Sequence, residues 1–243
     1  MDYKLLKDQC VQWIRDWFEK NGKGCNAVLG MSGGKDSTVA AALCAEALGK
    51  DRVIGVSMPA EGQGINDADK ICEFIGIRYI CAPIGGIISG FQQLSETLPE
   101  GLSHQSEQNI PPRVRMTTVY AISQSLNGRV VNTCNLSEDW VGYSTRWGDS
   151  VGDFSPLGKL TVQEVKAIGH ELGLPAKWVE KIPDDGLPHS CSDEEKFGFS
   201  YATLDRYIRT GVCEDEAVKE KIDRMHRNNL FKLSMPETFD PQI

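Results

Sequence analysis

The chain has 243 residues and a formal net charge of −8 at neutral pH. This length predicts one large domain or a domain with appendages, and 40% apolar residues suffice for a buried core. The acidic balance disfavours a dedicated nucleic-acid-binding protein, which usually carries a basic excess. No apolar run reaches the roughly 18 residues of a membrane span, and the charged first ten residues do not resemble a signal peptide. We therefore expect a cytoplasmic protein with neither a membrane nor a nucleic-acid partner.

The cysteine spacing argues against a zinc or redox centre. None of the eight cysteines forms a C-x-x-C pair, and they are scattered through apolar segments. The sequence therefore predicts buried, reduced thiols of a cytosolic protein at Cys10, Cys25, Cys44, Cys72, Cys81, Cys134, Cys191 and Cys213.

Helical and strand patterns alternate along the first half of the chain. The first predicted helix covers residues 3–18, ends at Asn21-Gly22, and has one apolar face made of Tyr3, Leu6, Cys10, Trp13, Ile14 and Trp17. Strands are predicted over 26–31, 52–58, 77–83 and 128–133. Helices are predicted over 37–48, from an Asn66 cap to Gly76, over 86–97, and from Pro112 to 126, with a loop over 99–110.

Beyond residue 134 the pattern is less regular. A Gly/Asp-rich segment covers 142–158, a helix is predicted over 161–172, a mobile loop over 183–193, and short helices follow. The alternation in the first half predicts an α/β fold, a Rossmann-like doubly wound parallel sheet with helices on both faces. We expect one domain over residues 1–243, with an N-terminal helix in residues 1–21. Such sheets bind ligands beyond the carboxyl ends of their strands.

The first predicted strand leads into the stretch MSGGKDS, which has the chemistry of a phosphate site. Ser32, Gly33, Gly34 and Ser37 are small, so backbone N–H groups at the start of the next helix can approach an anion closely. The spacing differs from that of the usual nucleotide-binding loop with its terminal Gly-Lys-Ser/Thr. Asp36 would repel a phosphate unless a cation lay between them, which indicates Mg²⁺.

The stretch SGGKDS resembles the pyrophosphate-binding signature of the N-type ATP pyrophosphatases. Further stretches resemble those of ammonia-dependent NAD synthetases within that group, in the same order from residue 29 to 239. They are NIPPRVRM (109–116), NTCNLSE (132–138), RWGDSVGDFSPLGKLTVQEV (146–165), SDEEKFGFSYATLDRYI (192–208) and, more distantly, MHRNNLFKLSMPETF (225–239).

This resemblance implies a reaction. ATP adenylates the nicotinate carboxylate of deamido-NAD, pyrophosphate leaves, and ammonia displaces AMP to give NAD. The cofactors implied are ATP, as a substrate, and Mg²⁺. Larger relatives carry a glutaminase domain, for which this chain is too short, so free ammonia is the expected nitrogen donor. Relatives of this size form homodimers.

The resemblance also assigns residues. Contacts to ATP and pyrophosphate are implied for Gly30, Ser32, Gly33, Gly34, Lys35, Asp36, Ser37 and Thr133. Asp36 and Glu138 match magnesium ligands, and Asp149 matches an aspartate that positions or deprotonates ammonia. Contacts to deamido-NAD are implied for Arg113, Arg146, Asp153, His226 and Arg227.

Two positions depart from the pattern. Val162 stands where the family usually has a lysine near the ATP phosphates. Lys159 would share a helical face with position 162 if the helix began near it, so we hypothesise that Lys159 supplies this catalytic phosphate contact instead. The alternative is a solvated lysine in a Gly-Lys turn. In KIPDD (181–185), Asp184 stands where a hydroxyl group is expected.

Three other functions fit the phosphate loop by itself. Another adenylating amidotransferase is disfavoured by the RVRM and RWGD stretches. A tRNA-modifying enzyme would need a basic face and usually a reactive cysteine pair, and neither is visible. A non-catalytic dinucleotide sensor could lose the metal carboxylates, whereas Asp36 and Glu138 are both present.

Overall fold

The computed structural model describes residues 1–60, 67–181 and 192–241. Within those ranges the sheet has four strands: β1 (Asn26–Gly30), β2 (Val53–Ser57), β3 (Arg78–Cys81) and β4 (Gly128–Val130). All three strand pairs are parallel, and the spatial order is β3-β2-β1-β4. The α/β fold predicted from the alternating pattern is confirmed, although β4 is shorter than the predicted strand over 128–133.

Helices cover both faces of the sheet. In chain order they are α1 (Tyr3–Asn21), α2 (Lys35–Leu48), α3 (Ala68–Ile75), α4 (Gly85–Thr97), α5 (His104–Ser125), α6 (Leu136–Val141), α7 (Val162–Glu171), α8 (Ala176–Val179), α9 (Asp193–Phe197), α10 (Tyr201–Thr210) and α11 (Glu216–Asn229). Helices α1, α2, α3, α7 and α8 pack on one face, and α4 and α5 pack on the other. The final helices are longer than expected, since α10 and α11 have 10 and 14 residues.

Adjacent residues of one strand supply the two sheet cores because side chains alternate between the faces. Leu29 packs with the helices of the α1–α2 face, whereas its neighbour Val28 packs with α4 and α5. A third apolar cluster joins α6, α9, α10 and α11 to the first residue of α7, Val162. This third cluster holds the C-terminal helices against α6, the helix that follows β4.

The strand order reverses at β1, because β2 and β3 lie on one side of it and β4 lies on the other. The chain runs from β1 outward to β2 and β3, and then returns through α4 and α5 to form β4 on the other side of β1. The crevice between the carboxyl ends of β1 and β4 is therefore the topological switch point, where open α/β sheets bind ligands. The phosphate loop follows β1, and the segment with Glu138 follows β4.

The apolar face of α1 agrees with the predicted one only in part. Val11, Ile14 and Phe18 are buried, whereas Trp13 is 44% exposed and Tyr3 is 37% exposed. The buried residues are spaced by three and four, so they form a stripe that faces the core. The predicted stripe is confirmed at Ile14 and wrong at Tyr3 and Trp13. Its other members are partly buried and pack against the same core: Leu6, Cys10 and Trp17.

Helix α5 begins well before the predicted start at Pro112. The Ser103 hydroxyl accepts a hydrogen bond from the Ser106 N–H at 3.2 Å, and the helix runs from His104 with Pro111 and Pro112 inside it. The predicted loop over 99–110 is therefore wrong for its second half. The N-cap starts the helix upstream of the prolines. Packing of the apolar side of α5 against the sheet offsets the cost of the two backbone hydrogen bonds that Pro111 and Pro112 cannot donate.

The thiols are less uniformly buried than predicted. Cys81 is exposed and Cys10 and Cys213 are partly exposed, although every described cysteine is free. Within the described ranges, no helix is long and apolar enough to cross a membrane. Cys191, Asn66, Asp184 and most of the predicted mobile loop lie outside the described residues.

Candidate active site

The turn between β1 and α2 places two serine hydroxyls at a helix N-terminus. Gly33 has a φ of +78°, in the left-handed region that favours glycine. The Ser32 Oγ accepts from the Gly34 N–H at 3.2 Å and lies 3.3 Å from the Ser37 Oγ. At the end of β1, a Cβ on Gly30 would lie 3.2 Å from the Met58 Cε, so a small residue fits there. This arrangement provides hydroxyl groups and unpaired helix N–H groups for an anion.

Two carboxylates from the neighbouring strand ends meet beside this loop. The Asn135 Nδ2 donates to the Asp36 Oδ1 at 3.0 Å, which ties the start of α6 to the start of α2. The Lys35 Nζ donates to the Asp36 Oδ2 at 2.7 Å and lies 3.8 Å from the Glu138 Oε1. Half-buried Thr133 lies in the same segment after β4. The predicted metal ligands therefore lie together, with a lysine ammonium between them.

The charges of this cluster shift its titration. Burial raises the pKa of Glu138 to about 8, and the nearby Asp36 charge adds to that rise while Lys35 opposes it. Burial by itself would lower the pKa of Lys35, but the charges of Asp36 and Glu138 outweigh it and the pKa is raised. Lys35 therefore stays protonated at neutral pH, and its ammonium places one positive charge beside the two carboxyl groups.

The donor set fits Mg²⁺ rather than a cation held by protein ligands alone. Over residues 1–60, 67–181 and 192–241, no three His, Cys, Asp or Glu side chains are grouped to hold a metal. Mg²⁺ is usually held by one or two carboxylates, with water and substrate phosphates completing the octahedron. Asp36 and Glu138 supply that number of carboxylates next to the phosphate loop.

Three further side chains belong to the cluster, although the sequence analysis assigned them no role. The Tyr201 hydroxyl donates to the Asp193 Oδ2 at 3.2 Å, and both residues are buried. The Lys35 Nζ lies 5.8 Å from the centre of the Tyr201 ring. The Lys181 Nζ donates to the Gly33 carbonyl at 3.4 Å, so a second cation borders the loop. The stretches SDEEKFGFSYATLDRYI and KIPDD contained these residues and were the available signal.

Comparisons with known proteins identify the family to which the chain belongs. The NAD synthase family profile matches residues 6–236. The NH(3)-dependent NAD(+) synthetase of Archaeoglobus fulgidus is 35% identical over 243 residues, which cover 97% of this chain and 96% of that protein. The chain belongs to the NAD synthase family.

Two solved structures extend the likeness to the whole chain. The NMN synthetase of Francisella tularensis has a TM-score of 0.89 at 26% identity and covers 100% of both chains. The NH3-dependent NAD synthetase of Campylobacter jejuni has a TM-score of 0.79 at 28% identity and covers 99% of this chain and 100% of that one. The described fold thus matches these two structures over nearly the whole chain.

The arginines expected to contact the nucleotide lie beside one another on the α5 side of the site. The Arg113 Nε donates to the Arg146 carbonyl at 3.3 Å, and the Arg113 side chain is exposed. The guanidinium of Arg146 lies 5.0 Å from the Trp147 ring centre and 5.3 Å from that of Phe231. The Arg146 Nε is buried without a hydrogen-bond partner within the described part of the chain. These contacts position two cations next to aromatic surface.

Asp149 and Asp153 both make structural hydrogen bonds. The Asp149 Oδ1 accepts from the Thr145 N–H at 2.7 Å, closing the turn that follows α6. Desolvation raises the pKa of Asp149, and its backbone hydrogen bonds partly oppose the rise. The Asp153 Oδ2 accepts from the Val130 N–H at 2.7 Å at the end of β4, and its Oδ1 accepts from the Tyr120 hydroxyl at 3.4 Å. Each carboxylate therefore anchors a backbone segment next to the site.

His226 is held against the protein, whereas its neighbour Arg227 is exposed. The His226 ring stacks on Trp140, with ring centres 4.0 Å apart, and its Nδ1 lies 2.9 Å from the Trp140 carbonyl oxygen. This contact fixes α11 against α6, the helix that carries Glu138.

The geometric premise for Lys159 is wrong. Helix α7 begins at Val162 with Thr161 as its N-cap, so Lys159 precedes the helix and shares no helical face with position 162. Lys159 is exposed, and its backbone carbonyl accepts from the Arg209 Nη2 at 2.7 Å. Val162 is buried in the third apolar cluster, next to Tyr201. The capping Thr161, paired with Glu164, determines where the helix starts.

Proposed function

We propose that the protein catalyses the ATP-dependent amidation of deamido-NAD by ammonia, producing NAD, AMP and pyrophosphate. The observation that carries this proposal is that Asp36 of the phosphate loop meets the segment of Asn135 and Glu138 across the β1/β4 crevice, in a chain of the NAD synthase family. The enzyme is accordingly a ligase that forms a carbon–nitrogen bond.

The first step is attack of the nicotinate carboxylate on the α-phosphorus of ATP, which releases pyrophosphate and leaves an acyl-adenylate. Ser32, Ser37 and the N–H groups at the start of α2 would bind the departing pyrophosphate, with Lys181 close by. Asp36 and Glu138 would hold Mg²⁺, which would neutralise charge on the phosphates. Gly30, Gly33 and Gly34 leave room for the phosphates, and Thr133 borders the same crevice.

The nicotinate nucleotide would lie on the α5 side. Arg113 and Arg146 supply positive charge for its phosphates, and Arg227 adds a cation from α11. A shallow recess beside them offers apolar and aromatic surface for a base, lined in part by Met116, Tyr120 and Trp147. Asp153 supports this wall through its contact with Tyr120, and His226 holds α11, which carries Arg227, against α6. Ammonia then attacks the acyl-adenylate carbonyl, AMP leaves, and Asp149 is the proposed acceptor of the proton that nitrogen loses.

A second candidate substrate is nicotinate mononucleotide, which carries the same reacting carboxylate. It is favoured by the likeness to the Francisella tularensis NMN synthetase, whose TM-score of 0.89 exceeds the 0.79 of the Campylobacter jejuni NAD synthetase. The adenylation and amidation steps would be unchanged, since the two substrates differ only beyond the reacting centre. The ratio of their kcat/KM values decides between them.

A coupled assay tests the proposal directly. Purified protein is supplied with ATP, Mg²⁺ and either deamido-NAD or nicotinate mononucleotide, and with either ammonium or glutamine. We expect one AMP and one pyrophosphate for each amide formed, with ammonium much the better donor. Asp36→Asn should lower turnover at least about a hundredfold, whereas Asp16→Asn on α1 should not. Release of ADP and phosphate would contradict the adenylation mechanism.

We also propose a homodimer that acts in the cytoplasm. Large apolar side chains near the C-terminus are exposed: Phe231 by 57%, Met235 by 77% and Phe239 by 90%. Trp147, which lines the recess of the proposed nucleotide wall, is 46% exposed. A second copy of the chain would cover such apolar surface. Sedimentation analysis gives the test, and a strictly monomeric protein at assay concentration would contradict the dimer.

A further inference from the structure

The Lys35 side chain is buried, and its ammonium lies with the carboxyl groups of Asp36 and Glu138. The residue is 2% exposed, although it belongs to the first turn of α2 in a loop otherwise made of small residues. Its ammonium is hydrogen-bonded to Asp36 and close to Glu138, and the Tyr201 ring covers it. The negative charge of Asp193 also acts on it. A buried cation thus already lies between the two carboxyl groups and offsets part of their negative charge.

We propose that Lys35 is a built-in counter-ion of the Asp36–Glu138 pair, and that the divalent metal replaces its ammonium there only when nucleotide binds. The inference rests on the proposed function in one respect, that this pair holds the metal. Lys35 is therefore a positioning residue that suppresses metal binding to the nucleotide-free enzyme.

The distances carry the argument. A Mg²⁺ ligand oxygen must come within about 2.1 Å of the ion, and the Asp36 Oδ2 is already hydrogen-bonded to the ammonium at 2.7 Å. A divalent ion bound to the same carboxylates would lie a few ångströms from the ammonium, where like charges repel strongly in a poorly hydrated site. Triphosphate supplies new negative charge at the adjoining loop. The four-carbon stem of Lys35 can follow that charge and free the carboxylates.

The test measures metal binding without substrates or turnover. Thermal unfolding of nucleotide-free protein is followed across a Mg²⁺ titration for the parent chain, Lys35→Met and Lys35→Gln. Without metal, both variants should melt below the parent, because they leave buried carboxylates without a counter-ion. Added Mg²⁺ should restore their Tm, with a midpoint concentration at least about tenfold below that of the parent.

Two controls make the result specific. Lys7→Met removes an equal charge from an ion-paired lysine on α1, which contacts Glu46 and Asp8, and should leave the Mg²⁺ midpoint of the parent. Adding Asp36→Asn to Lys35→Met should abolish the gain in Mg²⁺ response. An unchanged or higher midpoint in both Lys35 variants, or no Mg²⁺ response in either of them, overturns the inference. If the Lys35 variants show the lower Mg²⁺ midpoint but the parent chain has no amidation activity, the result counts against the proposed function instead.

Discussion

Asp205 on α10 joins three helices through a buried carboxylate. The residue is 5% exposed, its Oδ1 accepts from the Ser137 hydroxyl at 2.5 Å, and its Oδ2 accepts from the Gln163 N–H at 2.8 Å. The Ser137 Oγ in turn accepts from the Val162 N–H at 3.1 Å. The N-terminus of α7 and the helix that bears Glu138 are thus tied to one side chain.

Asp205→Ala should destabilise the fold by about 3–5 kcal/mol. It removes two hydrogen bonds to a charged group, each worth about 1.5–3 kcal/mol, and leaves the Gln163 N–H and the Ser137 hydroxyl without that acceptor. For a chain of this size, about 1 kcal/mol lowers Tm by roughly 2–4 °C, so a fall of about 10 °C is expected. Asp205→Asn keeps the shape and one acceptor oxygen, so its loss should be clearly smaller.

Urea unfolding followed by tryptophan fluorescence measures the free energy difference, and calorimetry checks the Tm. The matched control is Asp16→Ala on α1, where an exposed carboxylate accepts from the Gln12 side chain, and its change should stay within about 0.5 kcal/mol. A loss below about 1 kcal/mol for Asp205→Ala would refute the reasoning, since two charged hydrogen bonds cannot be worth so little if they form.

Two further predictions concern recognition and thiol reactivity. Arg113→Ala should raise the KM for the nicotinate nucleotide more than the KM for ATP, because Arg113 lies on the α5 wall. Steady-state kinetics measure both values, and Arg206→Ala, which removes an exposed arginine of α10, is the control that should change neither. A rise in the KM for ATP alone in Arg113→Ala would contradict this placement. Cys81 should react with maleimide at neutral pH well before Cys10 and Cys72, because it is exposed while burial raises their pKa values to about 11 and about 12. Peptide mass spectrometry gives the order, and equal labelling of Cys72 would contradict the burial.

The sequence by itself determined the order of strands and helices and the location of the site. Alternating patterns identify a parallel sheet, and the carboxyl ends of adjacent parallel strands share one edge. The small residues of the phosphate loop and the two carboxylates, Asp36 and Glu138, could therefore be assigned to the same crevice. Assignment of the phosphate loop and Asp36 needed only local propensities and one rule of sheet topology, whereas Glu138 was singled out by the resemblance of NTCNLSE to the NAD synthetases.

Tertiary structure decided where the individual side chains point. Asp36 and Asn135 are 99 residues apart in the chain yet hydrogen-bonded, and the burial of Lys35 depends on Tyr201 from α10. No local pattern encodes such contacts, so nothing in the sequence indicated that Lys35 pairs with Asp36, and Asp193 received no role. The start of α7 likewise follows from caps at Thr161 and Ser137 rather than from apolar spacing. The spacing of apolar residues predicts which face of a helix is buried. The position of a buried charged group, such as the Lys35 ammonium, depends instead on the charged groups that folding brings next to it.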